Sequence, residues 1–176
     1  MGSITLITGG VRSGKSAFAL SLALKEHTHR AFIATAQALD EEMEERIAKH
    51  QHERGSEFTT IEEPIELMRT INSLDAHIGI AVVDCLTVWL GNLFHSHDND
   101  PGSAREDVDI FFDALSLPAP RCDLIVVTNE VGWGIVPENK LARDYRDLAG
   151  YTNRRMAELA KSVYLCICGI HSKIKG

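Results

Sequence analysis

The sequence lacks the features of a secreted, membrane-spanning or nucleic-acid-coating protein. Its four cysteines include no C-x-x-C pair, and with no secretory signal no disulfide framework is predicted. The longest apolar runs, such as IAVVDCLTVWL, stop well short of the ~20 residues that a bilayer-spanning helix requires. A formal net charge of −7 excludes a broadly basic surface, so no nucleic-acid partner is expected. A cytoplasmic location is expected, because the first residues carry no basic leader.

The composition is that of an ordinary globular protein. Apolar residues make up 44% and charged residues 24% of the 176 positions, which predicts one domain over residues 1–176 with a sizeable core. Cys166 and Cys168 alternate within the apolar run VYLCICG. Alternate positions of a strand share a face, so two buried thiols are favoured over a metal site.

Short apolar runs alternate with helical patterns along the chain, which predicts an α/β fold with a mostly parallel, doubly wound sheet flanked by helices. The predicted strands are 4–8, 31–35, 80–84, 124–128 and 163–169. The predicted helices are 15–27, 40–54, 64–74, 85–96, 104–115 and 138–162. The segments 95–103 and 131–139 are rich in turn residues and are predicted to be irregular.

The clearest motif is GGVRSGKS at residues 9–16, which fits the P-loop pattern G-x-x-x-x-G-K-[ST] between a strand and a helix. The glycines Gly9, Gly10 and Gly14 let successive backbone N–H groups turn toward a phosphate. Lys15 is predicted to reach the β- and γ-phosphates, and the Ser16 hydroxyl to bind Mg²⁺. The motif predicts nucleoside triphosphate binding and leaves the reaction open.

A P-loop usually works with a carboxylate at the end of a neighbouring strand, which holds Mg²⁺ through water. Asp84 ends the run IAVVD, and Glu130 closely follows LIVVT. Asp84 is the preferred candidate, because the carboxyl ends of the strands are where open α/β sheets bind ligands. The alternative for Asp84 is a purely structural role as the N-cap of the helix that follows.

The stretch RIAKHQHERG places two histidines two positions apart in the predicted helix 40–54. Residues i and i+2 do not face each other on a helix, so His50 and His52 cannot chelate one metal. One stripe of this helix holds Met43, Arg46, Ile47, His50 and Arg54. His50 therefore has either a structural role or a catalytic one, since a neutral imidazole can attack phosphorus, whereas His52 is expected in solvent.

Four long blocks together resemble the bifunctional adenosylcobinamide kinase/adenosylcobinamide-phosphate guanylyltransferase family of cobalamin biosynthesis. The blocks are TGGVRSGKS, ATAQALDEEMEERIAKHQHERG, DCLTVWLGNL and VVTNEVGWGIVPENKLARDYRDLAGYTNRR. The resemblance implies a single P-loop NTPase-like domain that phosphorylates adenosylcobinamide with ATP or GTP. It also implies transfer of GMP from GTP to adenosylcobinamide phosphate through a GMP-histidine intermediate, and a homotrimer.

The same resemblance implies the site residues. The family's R-I-x-x-H motif places the catalytic histidine at His50, with Lys15 as the other catalytic residue. The implied nucleotide-binding positions are Gly9, Gly10, Val11, Arg12, Ser13, Gly14, Lys15, Ser16, Ala34, Thr35, Ala36, Gln51, His52, Glu53, Arg54, Glu62 and Asp84. Glu63 competes with Glu62 for the acidic position, and spacing from His50 favours Glu62. The implied Mg²⁺ ligands are Ser16 and Asp84.

Three questions stay open at this level. Trp133 is either a loop-packing aromatic or a side chain that stacks on the flat corrin or a base. A kinase that moves only a γ-phosphoryl group would not need His50. A nucleotide switch without enzymatic activity would show no corrinoid-dependent turnover of nucleotide.

Overall fold

The computed structural model describes residues 2–38, 56–116 and 119–176. Within them, seven strands form one sheet in the order β3-β2-β4-β5-β1-β6-β7. The strands are β1 (Ile4–Gly9), β2 (Arg30–Ala34), β3 (Thr59–Glu62), β4 (Ile80–Asp84), β5 (Asp123–Val127), β6 (Ser162–Ile167) and β7 (Ile170–Lys175). The helices are α1 (Lys15–Glu26), α2 (Leu67–Ser73), α3 (Leu86–Ser96), α4 (Pro101–Ser116) and α5 (Lys140–Leu159).

The first six strands pair in parallel and β7 is antiparallel to β6, which confirms the predicted α/β fold with a mostly parallel sheet. Since the carboxyl ends of parallel strands meet at one edge, the segments after β1, β2, β4 and β5 are neighbours. These segments contain the P-loop, residues 34–36, Asp84 and Glu130. The topology therefore gathers the predicted phosphate site at the carboxyl edge of the sheet.

The sheet is covered on both faces, and this explains the near-continuous apolar strands. Ile7 and Phe32 belong to a core cluster on the face covered by α1. Their sequence neighbours Leu6 and Ile33 belong to a larger cluster on the opposite face, with residues of all the other described helices. Adjacent positions of a strand point to opposite faces, so a strand buried on both faces has no polar side.

Two strands were missed by sequence reasoning. Most side chains of β3 are exposed, and every residue of β7 is exposed, so neither strand carries an apolar run. The turn between β6 and β7 did leave a signal. Cys168 and Gly169 both have positive φ, 51° and 80°, as the tightest hairpin turns require, and a glycine in the second position is typical of such turns.

The predicted helices within the described residues are confirmed, with shifted ends. The prediction 138–162 was wrong at its C-terminus, where α5 stops at Leu159 and β6 begins at Ser162. Apolar residues at 159 and 163 continue the helical spacing across this boundary, and that spacing caused the error. Asn139 caps the start of the helix, because its Oδ1 accepts the backbone N–H of Leu141 at 2.8 Å. The helix predicted over 40–54 lies outside the described residues.

The prediction of two buried thiols in VYLCICG was half wrong. Cys166 is buried in β6, whereas Cys168 is exposed, because the strand has ended and the chain turns at that residue. None of the described helices combines the length and apolar character needed to cross a membrane.

Candidate functional site

The loop between β1 and α1 closes tightly around the lysine of the motif. Gly9 has a φ of 151°, and a Cβ there would lie 2.2 Å from the carbonyl oxygen of Cys166, so only glycine fits. Lys15 is 7% exposed. Its Nζ donates to the carbonyl oxygen of Gly10 at 2.5 Å and to Ser13 Oγ at 3.3 Å. These bonds hold the ammonium inside the loop, beside the space that a bound phosphate occupies in P-loops.

The start of α1 faces the same loop. Its N-cap residue is Gly14, with a φ of 93° and no side-chain capping bond, so the first backbone N–H groups stay available to an anion. Ser16 is half-buried in the first turn. Val11 and Arg12 form the exposed tip of the loop, and Arg12 has a left-handed φ of 56°. The predicted P-loop residues are thus brought together around one anion-binding turn.

The β6–β7 turn supports the P-loop from behind, which sequence reasoning did not anticipate. The backbone N–H of Gly169 donates to the carbonyl oxygen of Ser13 at 3.0 Å. A Cβ on Gly14 would lie 3.3 Å from the Cα of Gly169. The P-loop is therefore held by a turn whose Gly169 lies 155 positions after Gly14 in the sequence. Strand β7, although exposed, belongs to the hairpin that supports the P-loop.

Asp84 ends β4 with its side chain half-buried. The helix that follows takes Cys85 as its N-cap and has no side-chain capping bond, so the capping role considered for Asp84 is wrong. Asp84 pairs in register with Ala34 on one side and with Val127 on the other. Its carboxylate therefore lies at the carboxyl edge, between the end of β2 and the end of β5.

Thr35 joins the ends of β2 and β4 in the interior. It is fully buried at 0% exposure. Its hydroxyl donates to the carbonyl oxygen of Cys85 at 2.9 Å and accepts the backbone N–H of Cys85 at 2.8 Å. The Asn92 side chain donates to the carbonyl oxygen of Thr35 at 2.8 Å. These bonds hold Ala34, Thr35 and Ala36 beside Asp84, so two predicted groups of site residues meet.

The structure separates the roles of the two adjacent glutamates. The carboxylate of Glu63 accepts the backbone N–H groups of Ile65 and Glu66 at 2.9 and 2.8 Å and the hydroxyl of Thr70 at 3.3 Å. Glu63 therefore organises the chain at the start of α2. Glu62 is exposed at the end of β3, beside Ala34 in register. Glu62 is thus the glutamate that lies at the carboxyl edge of the sheet, and its role as the acidic site residue stays a prediction.

The oxygen donors at this edge suit a hard cation. A hydroxyl at Ser16 and a carboxylate at Asp84 are the kind of ligands that Mg²⁺ takes alongside phosphate oxygens and water. In the described part of the chain, no group of three or more His, Cys, Asp or Glu side chains is arranged to hold a metal by itself. The Ser16 hydroxyl and the Asp84 carboxylate therefore fit Mg²⁺ as two protein ligands, and phosphate oxygens and water would be the others.

Glu130 stands next to the P-loop in a network of buried polar groups. Its backbone N–H donates to the carbonyl oxygen of Gly9 at 3.1 Å. Its Oε1 accepts the Thr8 hydroxyl at 2.6 Å and the Asn153 amide at 3.2 Å. The Asn153 Oδ1 in turn accepts the Thr128 hydroxyl at 2.7 Å. Sequence reasoning found Glu130 but gave no role to Thr8 or Asn153, because a threonine or an asparagine within a long block carries no signal of the distant side chains that it contacts.

The loop after Glu130 carries large apolar side chains that face away from the protein. Trp133 is 65% exposed, Ile135 95% and Val136 65%. The loop-packing interpretation of Trp133 is therefore wrong, while Val131 at the base of the loop does pack against the core. An exposed apolar surface next to a phosphate site is a candidate contact for an apolar part of a substrate.

Two other reactive groups near the site are held neutral. Burial, followed by the neighbouring charge of Asp84, raises the pKa of the Cys85 thiol to about 11. Burial also raises the pKa of Tyr145, whose hydroxyl donates to the carbonyl oxygen of Thr87 at 2.6 Å. Neither side chain ionises near neutral pH, so neither is suited to act as nucleophile or base.

The predicted nucleophile and its neighbours lie outside the described residues. These positions are His50, Gln51, His52, Glu53 and Arg54. Their roles stay predictions.

Sequence comparison matches the chain to one family model and to curated relatives over nearly its whole length. The family model for cobinamide kinase / cobinamide phosphate guanyltransferase (CobU) matches residues 5–174. The chain is 40% identical over 172 residues to the bifunctional adenosylcobalamin biosynthesis protein CobP of Pseudomonas aeruginosa, covering 97% of this chain and 96% of that protein. It is 36% identical over 179 residues to the bifunctional adenosylcobalamin biosynthesis protein CobU of Escherichia coli K12, covering 97% and 98%.

Comparison of structures gives the fold alone. An ATPase from the type III secretion system of pathogenic bacteria superposes with a TM-score of 0.52 at 13% sequence identity, covering 94% of this chain and 51% of that one. The shared part is the P-loop NTPase-like α/β architecture.

Proposed function

The chain belongs to the cobinamide kinase / cobinamide phosphate guanyltransferase family, and we propose that it catalyses both reactions at the carboxyl edge of its sheet. In the first, ATP or GTP phosphorylates the hydroxyl of adenosylcobinamide. In the second, GTP gives GMP to adenosylcobinamide phosphate, which yields adenosylcobinamide-GDP and pyrophosphate. The observation that carries the proposal is the meeting of the P-loop, residues 34–36 and Asp84 at one edge, in a chain that matches the family over residues 5–174.

For phosphoryl transfer, the chain has to bind the triphosphate and neutralise charge. The P-loop N–H groups and the start of α1 surround the phosphates, and the Lys15 ammonium lies within the loop. Bound Mg²⁺ would supply further positive charge, with the Ser16 hydroxyl and the Asp84 carboxylate as the proposed protein ligands, partly through water. Thr35 keeps the end of β2 beside Asp84, and Glu62 is the proposed acidic contact to the nucleotide.

For guanylyl transfer, a ring nitrogen of His50 attacks the α-phosphorus of GTP. The bond from that phosphorus to the pyrophosphate oxygen breaks, and pyrophosphate leaves. A phosphate oxygen of adenosylcobinamide phosphate then attacks the same phosphorus and releases the imidazole. The support is the R-I-x-x-H sequence at residues 46–50 and the family match over this segment; Gln51, His52, Glu53 and Arg54 are proposed to contact the nucleotide.

A covalent histidine intermediate gives a direct test. The protein is incubated with GTP labelled at the α-phosphate, quenched, and examined for an acid-labile, base-stable protein adduct. The adduct is expected in the wild-type protein and absent in His50→Ala. The matched control is His95→Ala, because His95 is exposed at the end of α3 and should label normally. Label that persists in His50→Ala contradicts the histidine mechanism.

The corrinoid is proposed to lie against the exposed loop around Trp133. This loop starts one residue after Glu130, which contacts Gly9 of the P-loop, so a substrate placed there has its reacting end near the phosphates. The indole offers a flat apolar face to the macrocycle.

The wider context is proposed as follows. Residues 1–176 form one domain, since a single sheet runs through the described parts of the chain. The protein acts in the cytoplasm as a homotrimer and without a nucleic-acid partner. The family resemblance supports the trimer, and the net charge of −7 supports the absence of nucleic acid.

A further inference from the structure

The order of the strands determines where the end of the triphosphate lies. Residues Lys15 and Ser16 follow β1, and Asp84 ends β4. Strand β5 lies between β1 and β4 in the sheet. A triphosphate bound between the P-loop and Asp84 would therefore cross the carboxyl end of β5, and its transferred phosphoryl group would meet the acceptor there. The residues that follow β5 there are 128–130.

Among those three residues, Glu130 alone carries an ionisable side chain. Its backbone is tied to the P-loop through the bond to the Gly9 carbonyl oxygen at 3.1 Å. Its side chain is half-buried, as suits a group between the protein interior and a bound substrate. Glu130 is thus the carboxylate that follows most closely, in sequence, the carboxyl end of β5.

The two carboxylate oxygens of Glu130 have different surroundings. Oε1 accepts the Thr8 hydroxyl at 2.6 Å and the Asn153 amide at 3.2 Å. Thr8 is 6% exposed and Asn153 is 8% exposed, so these donors are fixed in the interior. In residues 2–38, 56–116 and 119–176, no hydrogen bond uses Oε2. One oxygen anchors the group, and the other remains able to accept a proton.

We propose that Glu130 is the general base of the kinase reaction and removes the proton from the substrate hydroxyl. Oε2 takes the proton as the hydroxyl oxygen forms its bond to the γ-phosphorus. The bond from that phosphorus to the β–γ bridging oxygen breaks, and the nucleoside diphosphate leaves. Glu130 then returns the proton to water. This inference rests on the proposed kinase function and assigns its proton acceptor.

Because the site is proposed to catalyse two reactions, a general base at Glu130 can be distinguished from a metal ligand or a structural carboxylate. Guanylylation of His50 uses an imidazole nitrogen as the nucleophile, and the next step uses a phosphate oxygen. Neither nucleophile needs a hydroxyl proton removed. A general base for the hydroxyl is therefore required in the kinase reaction alone, whereas a metal ligand or a structural carboxylate at residue 130 would affect both reactions.

The test is the variant Glu130→Gln. The glutamine carbonyl oxygen can still accept from Thr8 and Asn153, so the anchoring bonds remain while the basic oxygen is lost. The rate of cobinamide phosphorylation is expected to fall by about 100-fold or more, the usual contribution of a general base. Labelling of His50 by α-labelled GTP and GMP transfer to supplied adenosylcobinamide phosphate are expected to stay within about twofold of wild type, since no base is required there.

Matched controls complete the design. Glu106→Gln changes an exposed glutamate of α4, which the proposed site does not include, and should leave both activities unchanged. Asp84→Asn should lower both. If Glu130→Gln does not fold, Thr8→Val is used instead, because it removes one anchoring bond from Oε1; a loss confined to phosphorylation supports the base.

The activities of the variants distinguish a general base at Glu130 from its alternatives. Phosphorylation at the wild-type rate in Glu130→Gln overturns the proposal, and so does an equal loss of both activities or a higher Mg²⁺ requirement for both. In Thr8→Val, an unchanged or equally lowered pair of activities also overturns it. If the wild-type protein forms neither phosphorylated cobinamide nor a His50 adduct, the proposed function fails and the base assignment fails with it.

Discussion

Replacing Thr35 with valine tests the link between β2 and β4 that holds the site together. Valine has nearly the same shape as threonine, so the change removes the hydroxyl without opening a cavity. At this fully buried position the hydroxyl makes two hydrogen bonds with the backbone of Cys85. The Cys85 carbonyl oxygen keeps a partner, because it also accepts the backbone N–H of Trp89. The Cys85 N–H loses the acceptor that Thr35 provides.

The magnitude follows from these two losses. A buried N–H left without an acceptor costs about 1–3 kcal/mol, and the second bond contributes about 1 kcal/mol. Together they predict a decrease of about 2–4 kcal/mol in the free energy of unfolding for Thr35→Val. For a chain of this size, each kcal/mol lowers the melting temperature by roughly 2–4 °C, so the expected shift is roughly 5–15 °C.

The assay is urea denaturation of the wild-type protein, Thr35→Val and the control Thr60→Val. Thr60 is an exposed threonine on the edge strand β3, where the same substitution should change stability by less than about 0.5 kcal/mol. A loss below about 1 kcal/mol in Thr35→Val would refute the reasoning. It would mean that the Cys85 N–H finds another acceptor, or that the interstrand link is weak.

Three further predictions concern thiols, acid stability and the corrinoid. A thiol reagent near neutral pH should react only with the exposed Cys168 in the native protein, and with the three buried cysteines only after unfolding. The reason is that burial raises the pKa values of the buried thiols. A second thiol that reacts rapidly in the native protein would contradict this prediction. Burial opposes ionisation of Asp123, but bonds from Ser3 and His27 outweigh it and lower its pKa. Its stabilisation is therefore present above the unfolded-state pKa and lost as pH falls through the folded one, so Asp123→Asn should flatten the acid decline in urea midpoints, and an unchanged decline refutes the assignment. Trp133→Ala should raise the KM for adenosylcobinamide and leave His50 labelling unchanged; altered oligomer mass with an unchanged KM would mean a subunit contact instead.

Much of the fold could be predicted because its signals are local. The strands buried on both faces are near-continuous apolar runs, and all five that were predicted are present. The P-loop was equally readable, since its glycines, Lys15 and Ser16 act within eight residues and depend on backbone shape. The exposed strands β3 and β7 escaped prediction, because an edge strand buries little and needs no apolar pattern.

The assignment of roles between similar residues needed the fold. Sequence alone left Glu62 beside Glu63 and left Asp84 between a ligand and a cap. The structure uses the Glu63 carboxylate at the start of α2 and gives α3 a different N-cap residue. Such distinctions depend on where each carboxylate finds hydrogen-bond donors, and those donors come from other parts of the chain.

The sequence by itself determined the parallel sheet, the phosphate loop and, through its long blocks of resemblance, the family. Only the tertiary structure decided which distant groups surround that loop. Thr8 and Glu130 are 122 positions apart and yet hydrogen-bonded. The backbone of Gly9 lies so close to the carbonyl oxygen of Cys166 on the neighbouring strand that no side chain fits between them. The physical reason is that loop chemistry is encoded in consecutive residues, whereas side-chain contacts between strands depend on strand order and register, which no single segment specifies.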